Sequence, residues 1–239
     1  MEKLNFSIGI LTWKDHDTLI NTLESYRQNG LLQLTDDIIL YAQEANENDV
    51  KISDMYGLTA IIESKHNVGI GRAFNDLFHY AKYDKVLILE NDWVLLEDKV
   101  VTHDVIKSSM EVLDDIVDFV RLRHVKTPGD PLYTRQFANR EMDSPYHLLD
   151  AIHWHGEDLK YKFPDKIGQI KDFMFTDSEF GNHTNNPFMC TKEFYNTSIK
   201  PFSGEGIELE GKIKEHWIKA NHIVAHNTTG LFTHFRINR

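Results

Sequence analysis

The sequence predicts an α/β fold: a single domain with a mostly parallel central sheet and helices on its faces. Three observations predict it. Strand-like apolar runs alternate with segments of helical periodicity through the first hundred residues. The run Val86–Leu96, VLILENDWVLL, reads as a buried strand that stops abruptly at Glu90, Asn91 and Asp92. The chain of 239 residues is long enough for one full core and contains no repeat or low-complexity linker.

Phe6–Leu11 is the first predicted strand. Asp15, His16 and Asp17 offer caps to a helix whose apolar stripe, Leu19, Ile20, Leu23 and Tyr26, ends at Gly30. Asp37–Tyr41 and Leu58–Ile62 are the second and third strands. Ile70, Ala73, Phe74, Leu77, Phe78 and Ala81 recur at helical spacing, and Lys85–Leu89 is the next strand. Lys99–Leu113 then reads as a helix and Val117–Leu122 as a strand. From Lys126 to Pro187 the pattern loosens around Pro128, Pro131, Pro145 and Pro164.

Lys+Arg 26 against Asp+Glu 37 gives a net charge of −11, which disfavours a nucleic-acid partner. No window approaches ~18 uninterrupted apolar residues and no cleavable leader is evident, so a soluble protein without a transmembrane segment, cytoplasmic or cytosol-facing, is expected. Cys190 stands alone, which excludes an internal disulfide. The 13 histidines show no HExxH spacing, and the pair His153 and His155 lacks companion ligands, so it reads as surface or acceptor-cleft residues.

Two segments carry chemistry. Ligands bind at the carboxyl ends of strands in open α/β sheets. Glu90 and Asp92 at such an end suit a divalent cation that also grips phosphates, because hard oxygen ligands favour Mg²⁺ and Mn²⁺; a strand running into an acidic turn is the plainer reading. In Glu63–Leu77, ESKHNVGIGRAFNDL, Gly69 and Gly71 permit close ligand approach. The helix behind them aims its free N–H groups at an anion, and Arg72 adds a forked donor. An ordinary loop–helix junction would look the same.

Asn67-x-Gly69-x-Gly71-Arg72-x-x-Asn75, followed by the strand ending in Glu90-Asn91-Asp92, resembles the nucleotide-sugar-binding half of GT-A (Rossmann-like) glycosyltransferases, closest to glycosyltransferase family 2. The resemblance is firmest over residues 6–96. It implies a nucleotide-sugar-binding half at about 1–98 and an acceptor-binding half at about 99–239 of one domain. Thr12 and Trp13 match the family's nucleoside-contacting turn, and Glu44 is the best candidate for an acid facing the base. Asn67, Gly69, Gly71, Arg72, Asn75 and Asn91 complete the implied donor site. Asn185–Phe188 and the following FMCTKEFY look like the acceptor-side strand and helix.

The resemblance implies that Asp92 ligates Mn²⁺ (or Mg²⁺) directly, that Glu90 binds it directly or through water, and that His234, in GLFTH near the end, is a further ligand; His226 is a distant second. It also implies an acidic base where the helix Lys212–Ile218 begins. The family's Glu-Asp pair is absent, since Gly206 follows Glu205, leaving Glu205, Glu208 and Glu210 in competition. Glu208 is favoured because the helix starts beside it. The implied reaction is inverting transfer of a sugar from a nucleoside diphosphate, a UDP-sugar foremost, to a glycan or other hydroxyl acceptor, with sugar choice made between Lys126 and Phe188. Two rivals stay open. A sugar-1-phosphate nucleotidyltransferase would carry a Gly-rich Arg/Lys signature, where residues 6–17 offer one Gly and one Lys. A binding module of the same fold without turnover is compatible with the missing acid pair.

Overall fold

The structure, a computed structural model, describes residues 2–132, 145–206 and 208–237. Strand β1 (Ser7–Trp13) leads into α1 (His16–Gln28), capped by Asp15, whose side chain accepts from Thr18 N. Then come β2 (Ile38–Gln43), α2 (Glu47–Tyr56), β3 (Ala60–Ser64), α3 (Ile70–Tyr80) and β4 (Lys85–Glu90). The apolar run does not continue as one strand: after Asn91 and Asp92 it turns into β5 (Trp93–Leu95). Next are α4 (Lys99–Leu113), β6 (Phe119–Arg121), the short helices α5 (Ile152–His155) and α6 (Leu159–Lys162), and the strands β7 (Gly168–Ile170), β8 (Phe173–Asp177) and β9 (Phe188–Thr191). The chain closes with α7 (Lys192–Phe194), α8 (Leu209–Lys219), β10 (Ile223–Asn227) and β11 (Phe232–His234).

Among the described residues, nine strands form the central sheet in the order β3-β2-β1-β4-β9-β6-β10-β8-β7. Only β9 and β8 run against the others, so the predicted mostly parallel sheet is borne out. β4 is apolar at every interior position because both its faces are covered. Val86 and Ile88 face a layer containing Phe74, Leu77, Ile213 and Trp217, while Leu87 and Leu89 face one containing Leu19, Leu23 and Ile106. Helix α2 is an addition to the predicted elements. It has a weak apolar stripe, and its N-terminus is set by a capping box between Asn46 and Asp49. No helix among the described residues is long and apolar enough to cross a membrane.

A second, two-stranded sheet pairs β11 with β5 antiparallel, setting His234 opposite Trp93. This small sheet carries the C-terminal segment onto the acidic end of β4.

Candidate active site

The turn Asn91-Asp92 is held from behind by α1. Thr22 Oγ1 donates to Asn91 O at 2.7 Å, Tyr26 OH to Trp93 O at 2.6 Å, and Asn29 Nδ2 to Leu95 O at 3.0 Å. Asn91 N donates to Leu11 O of β1 at 2.9 Å. These bonds fix Asp92, which is 2% exposed, at the carboxyl edge of the sheet. Two basic side chains meet its Oδ2: Arg236 Nε donates at 2.7 Å, and His234 Nε2 stands 3.1 Å away. Burial works to raise the Asp92 carboxyl, but His234 and Arg236 outweigh it and hold the group below the usual carboxylate range. Glu90, half-buried two residues earlier, is pushed up to about 8, first by burial and then by the charges of Asp92 and Glu210.

A carboxylate and an imidazole side by side are ligand types that suit a divalent cation. Adjacent ligands around an octahedral ion bound at ~2.1 Å lie about 3 Å apart, which is the Asp92–His234 separation. His234 Nδ1 donates to the Asp130 carbonyl, and this orients Nε2 toward Asp92. Among the described residues no three His, Cys, Asp or Glu side chains cluster closely enough to hold a metal alone. Asp92 and His234 would therefore supply two ligands, leaving other positions to phosphate oxygens and water.

A cleft of about 640 Å³ opens beside this turn, between the ends of β1 and β4 and the start of α8. The donor-site candidates Thr12, Trp13, Asn67, Gly69 and Asn91 line it, and so does the metal-ligand candidate Glu90. Glu44, Gly71, Arg72 and Asn75 are not brought to it. Glu44 pairs with Lys14 at the rim. Arg72 Nε reaches along α3 to Asp76 at 3.1 Å. Asn75 Oδ1 accepts from Tyr195 OH and Ser203 Oγ, both at 2.8 Å, and ties α3 to the second half of the chain. Gly71 is buried against Ser203 and Gly204, where an added Cβ would lie 3.1 Å from Gly204 N. The loop's glycines thus answer first to close packing against residues 203–206. Gly69, at φ +83°, faces Gly206, whose N–H donates to Val68 O at 2.9 Å.

The three glutamates separate in space. Glu205 sits at the exposed rim with His66 Nε2 at 3.0 Å. Glu208 caps α8, both carboxylate oxygens accepting from Gly211 N at 2.9 Å. Glu210 lines a second cleft of about 380 Å³ together with Glu90, Asp92 and His234. Its carboxyl is raised, foremost by the protein packed around it, against the pull of the Asn185 N–H it accepts at 2.6 Å.

Sequence reasoning missed Gln43 and Arg236, and named Asn185 only as part of the acceptor-side turn. Gln43 Oε1 accepts from Val68 N at 2.8 Å and Gly69 N at 3.1 Å, shaping the loop from the end of β2. A buried amide at a strand end is the signal that could have found it. Asn185 and Arg236 line both clefts. The alternative metal ligand His226 is buried in β10, its ring 5.2 Å from that of His153, and burial pushes both histidines below their ordinary range. His153 and His155 do not line either cleft. Part of the expected sugar-selecting segment, residues 133–144, and Ile207 lie outside the described residues.

No family model and no curated protein matches the chain in sequence. Solved structures do match in shape. The chain is similar to S. aureus TarS 1–349 in complex with UDP-GlcNAc at 9% identity and TM-score 0.60, covering 99% of this chain and 60% of that one. It is also similar to the mannosyltransferase PcManGT from Pyrobaculum calidifontis in complex with GDP-Man and Mn²⁺ at 12% identity and TM-score 0.56, covering 95% and 57%. The chain thus spans less than two thirds of the length of these neighbours. At this identity the likeness is one of fold: the chain has the GT-A-like fold of these glycosyltransferases.

Proposed function

We propose that the chain is a metal-assisted, inverting glycosyltransferase that moves a sugar from a nucleoside-diphosphate donor to a hydroxyl acceptor. The observation that carries this reading is the meeting of Asp92 and His234 at 3.1 Å on the carboxyl edge of β4, where two clefts join. UDP- and GDP-sugars are the donors to try first, a UDP-sugar foremost, since the structural neighbours are complexes with UDP-GlcNAc and GDP-Man.

The nucleoside would lie in the larger cleft against Thr12 and Trp13. Asp92 and His234 would hold Mn²⁺ or Mg²⁺, which supplies charge neutralisation for the leaving diphosphate. Glu210 is our choice of base over Glu208: it faces the cleft containing Asp92 and His234, and its raised carboxyl is a better proton acceptor. Both oxygens of Glu208 are directed at the start of α8. The acceptor hydroxyl gives its proton to Glu210 as its oxygen bonds the anomeric carbon. The bond from that carbon to the diphosphate oxygen breaks on the opposite face, and the diphosphate leaves with the electron pair.

Release of nucleoside diphosphate from UDP-GlcNAc or GDP-Man, with Mn²⁺ and with EDTA, tests this reading. Asp92→Ala is expected to abolish release, and His234→Ala to weaken Mn²⁺ binding by roughly 10–100-fold. An Asp92→Ala protein that turns over normally would refute it. The reading of a binder without turnover has its own support in Gly206, which stands where an acid pair is expected. Tight donor binding with no release under any condition would favour it.

A further inference from the structure

The residue expected to meet the donor's diphosphate, Arg72, is directed to Asp76 and does not line either cleft. Arg123 does line the smaller cleft, but its guanidinium donates to the carbonyls of Pro128, Gly129 and Pro131. Arg236 differs from both. It lies where the two clefts join, its side chain is 44% exposed, and only Nε donates, to Asp92 Oδ2; its terminal nitrogens donate to no described residue. The backbone is pinned on either side: Phe235 N donates to Asp92 O at 2.8 Å and Ile237 N to Thr18 Oγ1 at 3.3 Å. Rotation of the side chain alone can therefore redirect the guanidinium.

We propose that Arg236 is the diphosphate-binding cation of the cleft, resting on Asp92 in the free protein and passing to the donor's phosphates when nucleotide enters. A cation arriving at Asp92 would repel the guanidinium just as the diphosphate offers it two anionic groups with matching fork geometry. The site then binds a nucleoside diphosphate weakly even without metal. This inference rests on the nucleotide-cleft reading above.

Calorimetry with UDP, GDP and the matching nucleosides, in EDTA and in Mn²⁺, separates the two. In EDTA, Arg236→Ala is expected to weaken diphosphate binding roughly 10–100-fold, the worth of a charge-assisted hydrogen bond, and to leave nucleoside binding unchanged. Arg236→Lys should recover part of the loss. Asp92→Asn should act in the opposite direction, strengthening metal-free diphosphate binding several-fold by releasing Arg236 while removing the Mn²⁺ effect. A purely structural clamp would lower the melting temperature of Arg236→Ala without a loss that depends on the phosphates. Equal diphosphate affinity in Arg236→Ala and the parent, both folded, would overturn the proposal and leave the cleft reading standing. A parent protein that binds none of these ligands in either condition would overturn both.

Discussion

Gly71 offers a sharp test, because its sequence context and its surroundings give different answers. The sequence suggests that a side chain here would block an approaching diphosphate and spare the fold. In the structure an added Cβ lies 3.1 Å from Gly204 N and Ser203 Cβ and 3.2 Å from Ser203 Cα. The first and third of these are backbone atoms, so relief requires the 203–204 segment to move by a few tenths of an ångström. Gly71→Ala places a single Cβ there and gains some helix preference, which offsets part of the crowding; the gain is less than the ~0.5–1 kcal/mol of a helix interior because Gly71 is the second residue of α3. Gly71→Val adds two methyl groups without that gain, and overpacking of this kind costs about 1–3 kcal/mol. At about 2–4 °C per kcal/mol for a chain of this size, the melting temperature of Gly71→Val should fall by roughly 2–12 °C, with Gly71→Ala close to the parent. The strained segment leads into Glu208 and Glu210, so sugar transfer should fall more than donor binding. Scanning fluorimetry and calorimetry with UDP or GDP read the two effects. A Gly71→Val protein that melts with the parent yet no longer binds diphosphate would refute the packing argument and restore the phosphate-loop role.

Three further outcomes are expected. Glu210→Gln should keep donor binding and lower transfer by ~10²–10⁴, with Glu205→Gln near the parent; a larger loss in Glu208→Gln than in Glu210→Gln would return the base to Glu208. His183, buried against Phe119 and Trp217 with both ring nitrogens unpartnered among the described residues, is held down to about 3 by burial. Its unfolded form takes up a proton near pH 6.5, so its stability contribution is complete above that pH and is lost as pH falls, by roughly 3 kcal/mol at pH 4. His183→Phe should flatten that acid limb in pH-dependent urea melts, and an unchanged limb would exclude His183 as its source. Glu90, pushed up to about 8, keeps its proton in the fold where the unfolded chain loses it near 4.5. Stability should therefore decline from pH 4.5 to 8, and Glu90→Gln should remove the decline; a slope that persists in the variant assigns it elsewhere.

The sequence by itself determined the α/β class and most of the first half, because period and capping are local properties. Short apolar runs marked the strands, and Lys99–Leu113 was legible to the residue. The acidic end of β4 was legible too, since carboxylates directly after a buried run are conspicuous wherever the chain goes. Helix α2 escaped because its apolar stripe is weak, and β7 and β8 because three- and five-residue strands amid Pro, Asn and Asp carry little periodicity. Glu205, Glu208 and Glu210 could not be told apart by spacing; their partners, His66, Gly211 N and Asn185 N, lie on a distant loop, the start of α8 and the turn before β9. Only the tertiary structure decided which basic side chains surround Asp92. His234 and Arg236 are 142 and 144 residues away in sequence and reach it through the β5–β11 pairing. The Arg72–Asp76 pair is by contrast an i,i+4 pair within α3 that the spacing already contains, whereas the placing of Arg236 at the clefts is tertiary. Arg236 meets its carboxylate 144 residues away in sequence, a meeting that sequence spacing does not contain.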